Sequence, residues 1–130
     1  MGISTRVLDY ERSIAKAQDL TGYLASLRGL AIAYFAQGHL ERGRAAFTRA
    51  TAGNTGRFPH VADASARSED ASTQLRWAAA ELGARQCGPA AQRYAQVNEQ
   101  RQAIAATDGW DISLVTPELN ALQESLRRRC

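Results

Sequence analysis

Proline is almost absent from this sequence, in which only residues 59, 89 and 117 of 130 are proline. Because proline breaks the interior of a helix, the long proline-free stretches leave room for several helices of ordinary length. Runs of β-branched residues are nearly absent, and much of the 45% hydrophobic fraction is alanine, the best helix former. These features predict an all-α protein of about the size of one ordinary domain.

Apolar residues at helical spacing predict about six helices joined mostly by short turns, the pattern of antiparallel helical hairpins. Thr21 is expected to cap the start of the second helix, and Gly38 to end it in a left-handed conformation. Gly88 and Pro89 predict a tight turn in which one helix stops and the next begins. The segment 60–86 fits either one long helix or a short helix followed by a longer one.

One hairpin, residues 24–52, has a recognisable repeat pattern: Leu27-x2-Leu30-Ala31-x2-Tyr34, followed by Gly43-x3-Phe47-x2-Ala50. It resembles the tetratricopeptide repeat (TPR), in which small residues let two antiparallel helices approach and large residues fill the remaining gap. The pattern departs from the family at two places. Gly43 stands where alanine is usual, and Thr55 stands near the position of the closing proline.

Weaker matches flank this repeat. Tyr10-x3-Ile14-x2-Ala17 resembles the second helix of a preceding repeat, and Ala90-x3-Tyr94-x2-Val97 resembles that of a following one. In the first helix of the following repeat, Glu81 stands where the family has tyrosine. We therefore expect one TPR-like domain over 1–130, with an insertion at 51–72, a degenerate hairpin at 73–105 and a C-terminal helix at 116–130. A generic helical bundle is the alternative.

The resemblance also implies a function, because TPR proteins bind partners on a concave face lined by the first helix of each hairpin. Carried over by position, this face predicts an apolar, arginine-flanked groove for a partner helix or an extended peptide with an acidic residue. The partner-binding residues so predicted are Arg28, Ile32, Phe35, Leu82 and Arg85. The alternative for Ile32 and Phe35 is packing against a neighbouring helix. The family's lysine and asparagine clamp for a terminal carboxylate is absent from these positions.

The two cysteines provide a geometric test of the helix order. In an up-and-down array, the helix before Cys87 and the last helix run in the same direction, so Cys87 and Cys130 end at the same edge. A disulfide between them is then predicted if their Cα atoms come within about 7 Å. Such a bond favours an oxidising compartment, namely the periplasm or the exterior. If the two thiols are unrelated, the predicted compartment is the cytoplasm.

Other chemistry has little support in the sequence. His39 and His60 have no local cysteine, serine or acidic partner at a recognisable spacing, and there is no glycine-rich phosphate loop. The sequence therefore predicts no enzyme, no metal site, no cofactor and no small-molecule substrate. We also see no apolar run of membrane-spanning length and no signal-peptide pattern. Nucleic-acid binding stays an alternative because arginines cluster at 42–49 and 127–129, but 13 acidic residues are mixed among them.

The predicted function is thus a non-catalytic protein-interaction module that binds a protein or peptide. We expect an adaptor or assembly factor of a bacterial envelope or secretion apparatus. A cytoplasmic TPR-type chaperone or regulator domain and a nucleic-acid-binding helical domain are the alternatives. Pairing of the exposed ends of the array with a second copy of the chain is left open.

Overall fold

The computed structural model describes residues 5–51, 63–107 and 116–130, with the side chains of 63–68, 100–107 and 116 excepted. These described residues form six α-helices and no strand, which confirms the all-α prediction. None of these helices combines the length and apolarity needed to cross a membrane. The helices are α1 (Thr5–Lys16), α2 (Leu20–Ala36), α3 (Leu40–Thr51), α4 (Asp63–Gly83), α5 (Cys87–Thr107) and α6 (Thr116–Arg129).

The chain forms two compact units, Met1–Ala62 and Asp63–Cys130. In the first unit α2 packs against both α1 and α3, and in the second unit α4, α5 and α6 pack against one another. A single array over 1–130 stays a prediction. Of the predicted insertion at 51–72, residues 63–72 belong to α4, and residues 52–62 lie outside the described part.

Helix α2 begins earlier than the sequence pattern predicted. Asp19, with extended backbone angles, is the N-cap, and its Oδ1 accepts a hydrogen bond of 2.6 Å from the backbone N–H of Gly22. The predicted cap at Thr21 was therefore wrong, since an aspartate two residues upstream can satisfy a free N–H of the first turn. At the other end Gly38 has φ of +79°, which confirms the left-handed cap.

Two glycines let the helices of the first unit come close together. A Cβ atom at Gly29 of α2 would lie within 3 Å of the Tyr10 ring of α1. A Cβ atom at Gly43 of α3 would lie 2.5 Å from the Phe35 ring of α2. Both contacts are shorter than real Cβ contacts allow, so each helix pair packs an aromatic ring directly onto glycine backbone.

The second unit has a core of aliphatic side chains from three helices. Its members are Leu75, Ala78 and Leu82 of α4, Ala90 and Val97 of α5, and Leu119 and Leu122 of α6, with Cys87, Tyr94 and Leu126 packed at the edge. Over the described residues α4 is one continuous helix, which answers the question left open by the polar segment before residue 72.

The turn between α4 and α5 lies before the predicted one. Helix α4 ends at Gly83, Arg85 adopts a left-handed conformation with φ of 62°, and α5 already begins at Cys87. Gly88 and Pro89 lie inside the first turn of α5, where proline is tolerated because the first N–H groups have no partner within the helix. The prediction that Gly88 stops the preceding helix was wrong, because Arg85 performs that role.

Candidate partner-binding groove

An apolar groove lined by described residues of the second unit lies between α4 and α6. It has a volume of about 370 Å³. Its lining residues are Leu75, Arg76, Ala79, Leu82, Glu118, Ala121, Leu122, Ser125 and Arg129. On each helix these residues are adjacent in sequence or three to four residues apart, so each helix contributes one stripe to the groove.

The floor and walls of the groove differ in character. Leu75, Leu82 and Leu122 belong to the core and are almost fully buried, so they form an apolar floor. Ala79 and Ala121 are exposed, and their small side chains leave the groove open. Of these residues, Leu82 is one that the TPR resemblance placed on the partner-binding face.

A second cleft continues the groove at one end. It is lined by Leu82, Gly83, Arg85, Cys87 and Arg129, two of which also line the groove. The predicted partner-binding residues Leu82 and Arg85 thus lie together at this end. Because the C-terminal ends of α4 and α6 both line this cleft, the two helices run in the same direction.

The two cysteines lie at this same end of the groove. Cys87 at the start of α5 is bonded to Cys130, which follows α6, with a Cα–Cα separation of 6.1 Å. This separation lies within the range that a disulfide bridges, and the prediction that both cysteines end at one edge is confirmed. The bond fixes the C-terminal end of α6 beside the end of the groove.

Arginine side chains surround the groove, and they differ in whether they form an ion pair with a carboxylate. Arg127 and Arg128 form ion pairs with Glu124, which lies three and four residues before them. Among described residues, Arg76, Arg85 and Arg129 have no carboxylate partner. The groove therefore combines an apolar floor with cationic groups available to a bound molecule.

The predicted residues of the first unit lie on α2 and differ in exposure. Arg28 and Phe35 each expose only 8% of their surface, whereas Ile32 exposes 43%. Phe35 packs on Gly43 and on the Phe47 ring, with a centroid distance of 5.9 Å, so it has the helix-packing role named as the alternative. The binding role of all three residues stays a prediction, with Ile32 the most accessible of them.

A buried polar cluster lies where α4 meets α5. The Nε1–H of Trp77 donates to Glu81 Oε2 at 3.0 Å, and Glu81 is 1% exposed. Arg93 of α5 stacks on the Trp77 ring with its Cζ atom 3.5 Å from the centroid, and it donates to the buried Gln74 at 3.4 Å. Burial lowers the pKa of the Arg93 guanidinium, and the negative charge of Glu81 acts in the opposite direction. This cluster joins two helices by polar contacts.

The first unit has a smaller groove of about 270 Å³. Arg42 and Arg49 of α3 stand on one side of it and Glu11 of α1 on the other, with Leu30 and Tyr34 of α2 between them. Residues 1–62 contain eight basic and four acidic residues, whereas residues 63–130 contain eight and nine. The positive net charge of the chain therefore comes from the first unit.

Sequence reasoning did not find the α6 side of the groove or the polar cluster. The sequence predicted no site at Glu118, Ser125 and Arg129, although their spacing of seven and four residues marks a stripe on α6. Trp77 and Glu81 are four residues apart, which could have signalled their contact. Arg93 had no such signal, because it reaches Trp77 across a turn.

The described residues contain no group of three or more histidine, cysteine, aspartate or glutamate side chains that could hold a metal ion. Comparison of the chain with protein-family models, with curated proteins and with solved structures gives no match. The resemblance to the TPR family consequently stays a prediction.

Proposed function

We propose that this protein is a non-catalytic, TPR-like interaction module whose α4–α6 groove binds a segment of a partner protein. The observation that carries the proposal is the groove itself, with leucines on its floor, small residues on its walls and arginines at its rim. Apolar pockets that hold a few polar groups are the usual binding sites of proteins. A groove between two parallel helices suits a peptide that presents an apolar stripe.

The proposal also includes a compartment and a biological role for the protein. The bond between Cys87 and Cys130 fits an oxidising compartment such as the bacterial periplasm, because cytosolic thiols are kept reduced. An adaptor or assembly factor of an envelope or secretion apparatus is a role in which a small helical module of this kind would act.

Site-specific photo-crosslinking in living cells tests the groove as a partner site. A photo-reactive amino acid replaces Ala79 or Ala121 in the groove, and Gln92, which is exposed on α5, serves as the matched control position. We expect a covalent adduct with one other protein from both groove positions and none from the control position.

The adducts are identified by mass spectrometry after purification under denaturing conditions. Adducts of equal yield from all three positions would show that the groove has no special role. A nucleic-acid adduct would favour the alternative class of function, and an adduct with a second copy of this chain would replace the partner protein by self-association.

A further inference from the structure

The two sulfur atoms of the disulfide lie at helix ends of opposite polarity. Cys87 is the first residue of α5, whereas Cys130 directly follows α6, and its N–H donates to the carbonyl of Leu126 at 2.9 Å. A helix carries partial positive charge at its N-terminal end and partial negative charge at its C-terminal end. A thiolate is therefore favoured at Cys87 and disfavoured at Cys130.

The exposure of the two cysteines differs in the same sense. Cys87 is half-buried and packs at the edge of the core of the second unit, whereas Cys130 is exposed. In thiol–disulfide exchange, a thiolate attacks one sulfur of the bond more readily where that sulfur is accessible, and the other sulfur leaves faster where its thiolate is stabilised. Access and leaving ability therefore both favour attack at Cys130 and departure of Cys87.

The charged side chains around the bond act on both sulfurs. Arg85 and Arg129 line the cleft that contains Cys87, and neither has a carboxylate partner among the described residues. Because Arg129 also precedes Cys130 in the chain, these two arginines favour a thiolate at either sulfur. The C-terminal end of α4 opposes them, but carbonyls of its last turn accept hydrogen bonds of 2.8–3.1 Å from the backbone of the following turn. The helix ends and the exposure thus set the direction of exchange.

We infer that the Cys87–Cys130 bond is a thiol–disulfide exchange site, at which an external thiolate attacks the sulfur of Cys130 and Cys87 leaves. The S–S bond breaks, its electron pair passes to Cys87 as a thiolate, and the external sulfur forms a mixed disulfide with Cys130. A second external thiolate attacks the external sulfur of this mixed disulfide, and Cys130 leaves as a thiolate. The two external thiols end as their disulfide, and the two protein thiolates take up the protons that those thiols released.

This inference does not depend on the proposed function, because it concerns the bond and not the occupant of the groove. Reaction with 2-mercaptoethanol, an uncharged monothiol, shows which sulfur is attacked. The full, disulfide-bonded chain reacts until a small fraction is converted, acid stops the exchange, and N-ethylmaleimide blocks the free thiols. A glutamate-specific protease separates the two cysteines into peptides 82–99 and 125–130 for mass spectrometry. We expect mercaptoethanol on Cys130 with maleimide on Cys87 about fivefold more often than the reverse.

The same reaction in concentrated urea is the reference, because the unfolded chain has no helix ends and no burial, and the excess is expected to disappear there. Gln86→Glu places a negative charge directly before Cys87 and is expected to reduce the excess in the folded protein about twofold. Gln92→Glu is the same change at an exposed position further along α5 and should keep the excess. Unchanged circular dichroism confirms that both variants are folded.

Equal attack at both sulfurs of the folded protein, or preferred attack at Cys87, overturns the inference. An equal excess in the folded and the unfolded chain overturns it too, since the preference would then come from the local sequence. A bond that reacts in urea but not in the folded protein is a structural crosslink only, which is also contrary to the inference. An excess that Gln86→Glu leaves unchanged, or that both glutamate variants reduce equally, shows that the end of α5 does not act on Cys87 and counts against the inference in the same way.

Discussion

Arg85 has the same place in the turn between α4 and α5 as Gly38 has between α2 and α3. Each follows the end of its helix in a left-handed conformation, and the N–H of the next residue donates to the carbonyl five residues before it, His39 to Tyr34 at 2.9 Å and Gln86 to Glu81 at 2.8 Å. Both turns are therefore Schellman motifs, and in each the next helix begins after three residues. Glycine is the usual residue at this position, so Arg85 is the exception.

Arg85→Gly is expected to stabilise the protein by about 1 kcal/mol, because it removes the strain of a side chain in the left-handed region. The free energy of unfolding is measured by urea titration with far-UV circular dichroism. Gly38→Ala is the matched variant at the equivalent position and is expected to destabilise the protein by a similar amount. An unchanged stability in both variants would contradict a common conformational origin.

Gly43→Ala is expected to destabilise the protein by about 1–3 kcal/mol, although alanine favours a helix and is usual at the equivalent TPR position. The added Cβ would lie 2.5 Å from the Phe35 ring and 3.1 Å from the carbonyl oxygen of Ala31. Gly83→Ala is the control, because no atom lies within 4 Å of the Cβ position there. Its expected effect is a stabilisation of about 0.5 kcal/mol. A stabilising Gly43→Ala would show that the ring can move aside.

Glu81→Ala is expected to destabilise the protein by about 2–3 kcal/mol. The substitution removes a buried acceptor from the Nε1–H of Trp77 and a negative charge near Arg93. Glu81→Gln retains an acceptor of similar shape and is expected to lose less stability. Thermal and urea unfolding of both variants give the comparison, and equal losses would show that the charge rather than the hydrogen bond matters.

Arg93→Ala is expected to expose Trp77 to water and to shift its fluorescence emission to longer wavelength. The guanidinium covers the indole ring at 3.5 Å, and a contact of this kind contributes about 1 kcal/mol. The measurement uses a Trp110→Phe background, so that Trp77 is the only emitting indole. Arg76→Ala, which changes an exposed arginine on the same helix as Trp77, serves as the control and should leave the emission unchanged.

Reduction of the Cys87–Cys130 bond is expected to destabilise the protein by about 4 kcal/mol in the loop-entropy model, given a sequence separation of 43 residues. The Cys87→Ser and Cys130→Ser double variant should match the reduced protein. Alkylation followed by mass measurement checks the bond directly, since only the previously reduced chain should take up label. Labelling of both thiols without reduction would remove the support for an oxidising compartment.

The sequence by itself determined which segments are helices and which faces of them are buried. The repeat patterns included Phe47, Ala50 and Val97, and all three are buried. The sequence also predicted the left-handed end of α2 at Gly38, because the glycine signal for a helix end is local. Local signals nevertheless compete. Hydrogen bonds that the sequence pattern does not show make Asp19, and not Thr21, the N-cap of α2. They likewise make Arg85, and not Gly88, the residue that ends α4.

Only the tertiary structure decided which surfaces meet. The α4–α6 groove depends on side chains about 40 residues apart in sequence, and Arg93 finds Trp77 through the packing of α5 on α4. Helical periodicity specifies a face but not its neighbour, because any apolar stripe can pack against any other. The parallel direction of α4 and α6 and the bond between Cys87 and Cys130 follow from the order of the hairpins, which is why the sequence predicted their shared edge but not the charges along the groove.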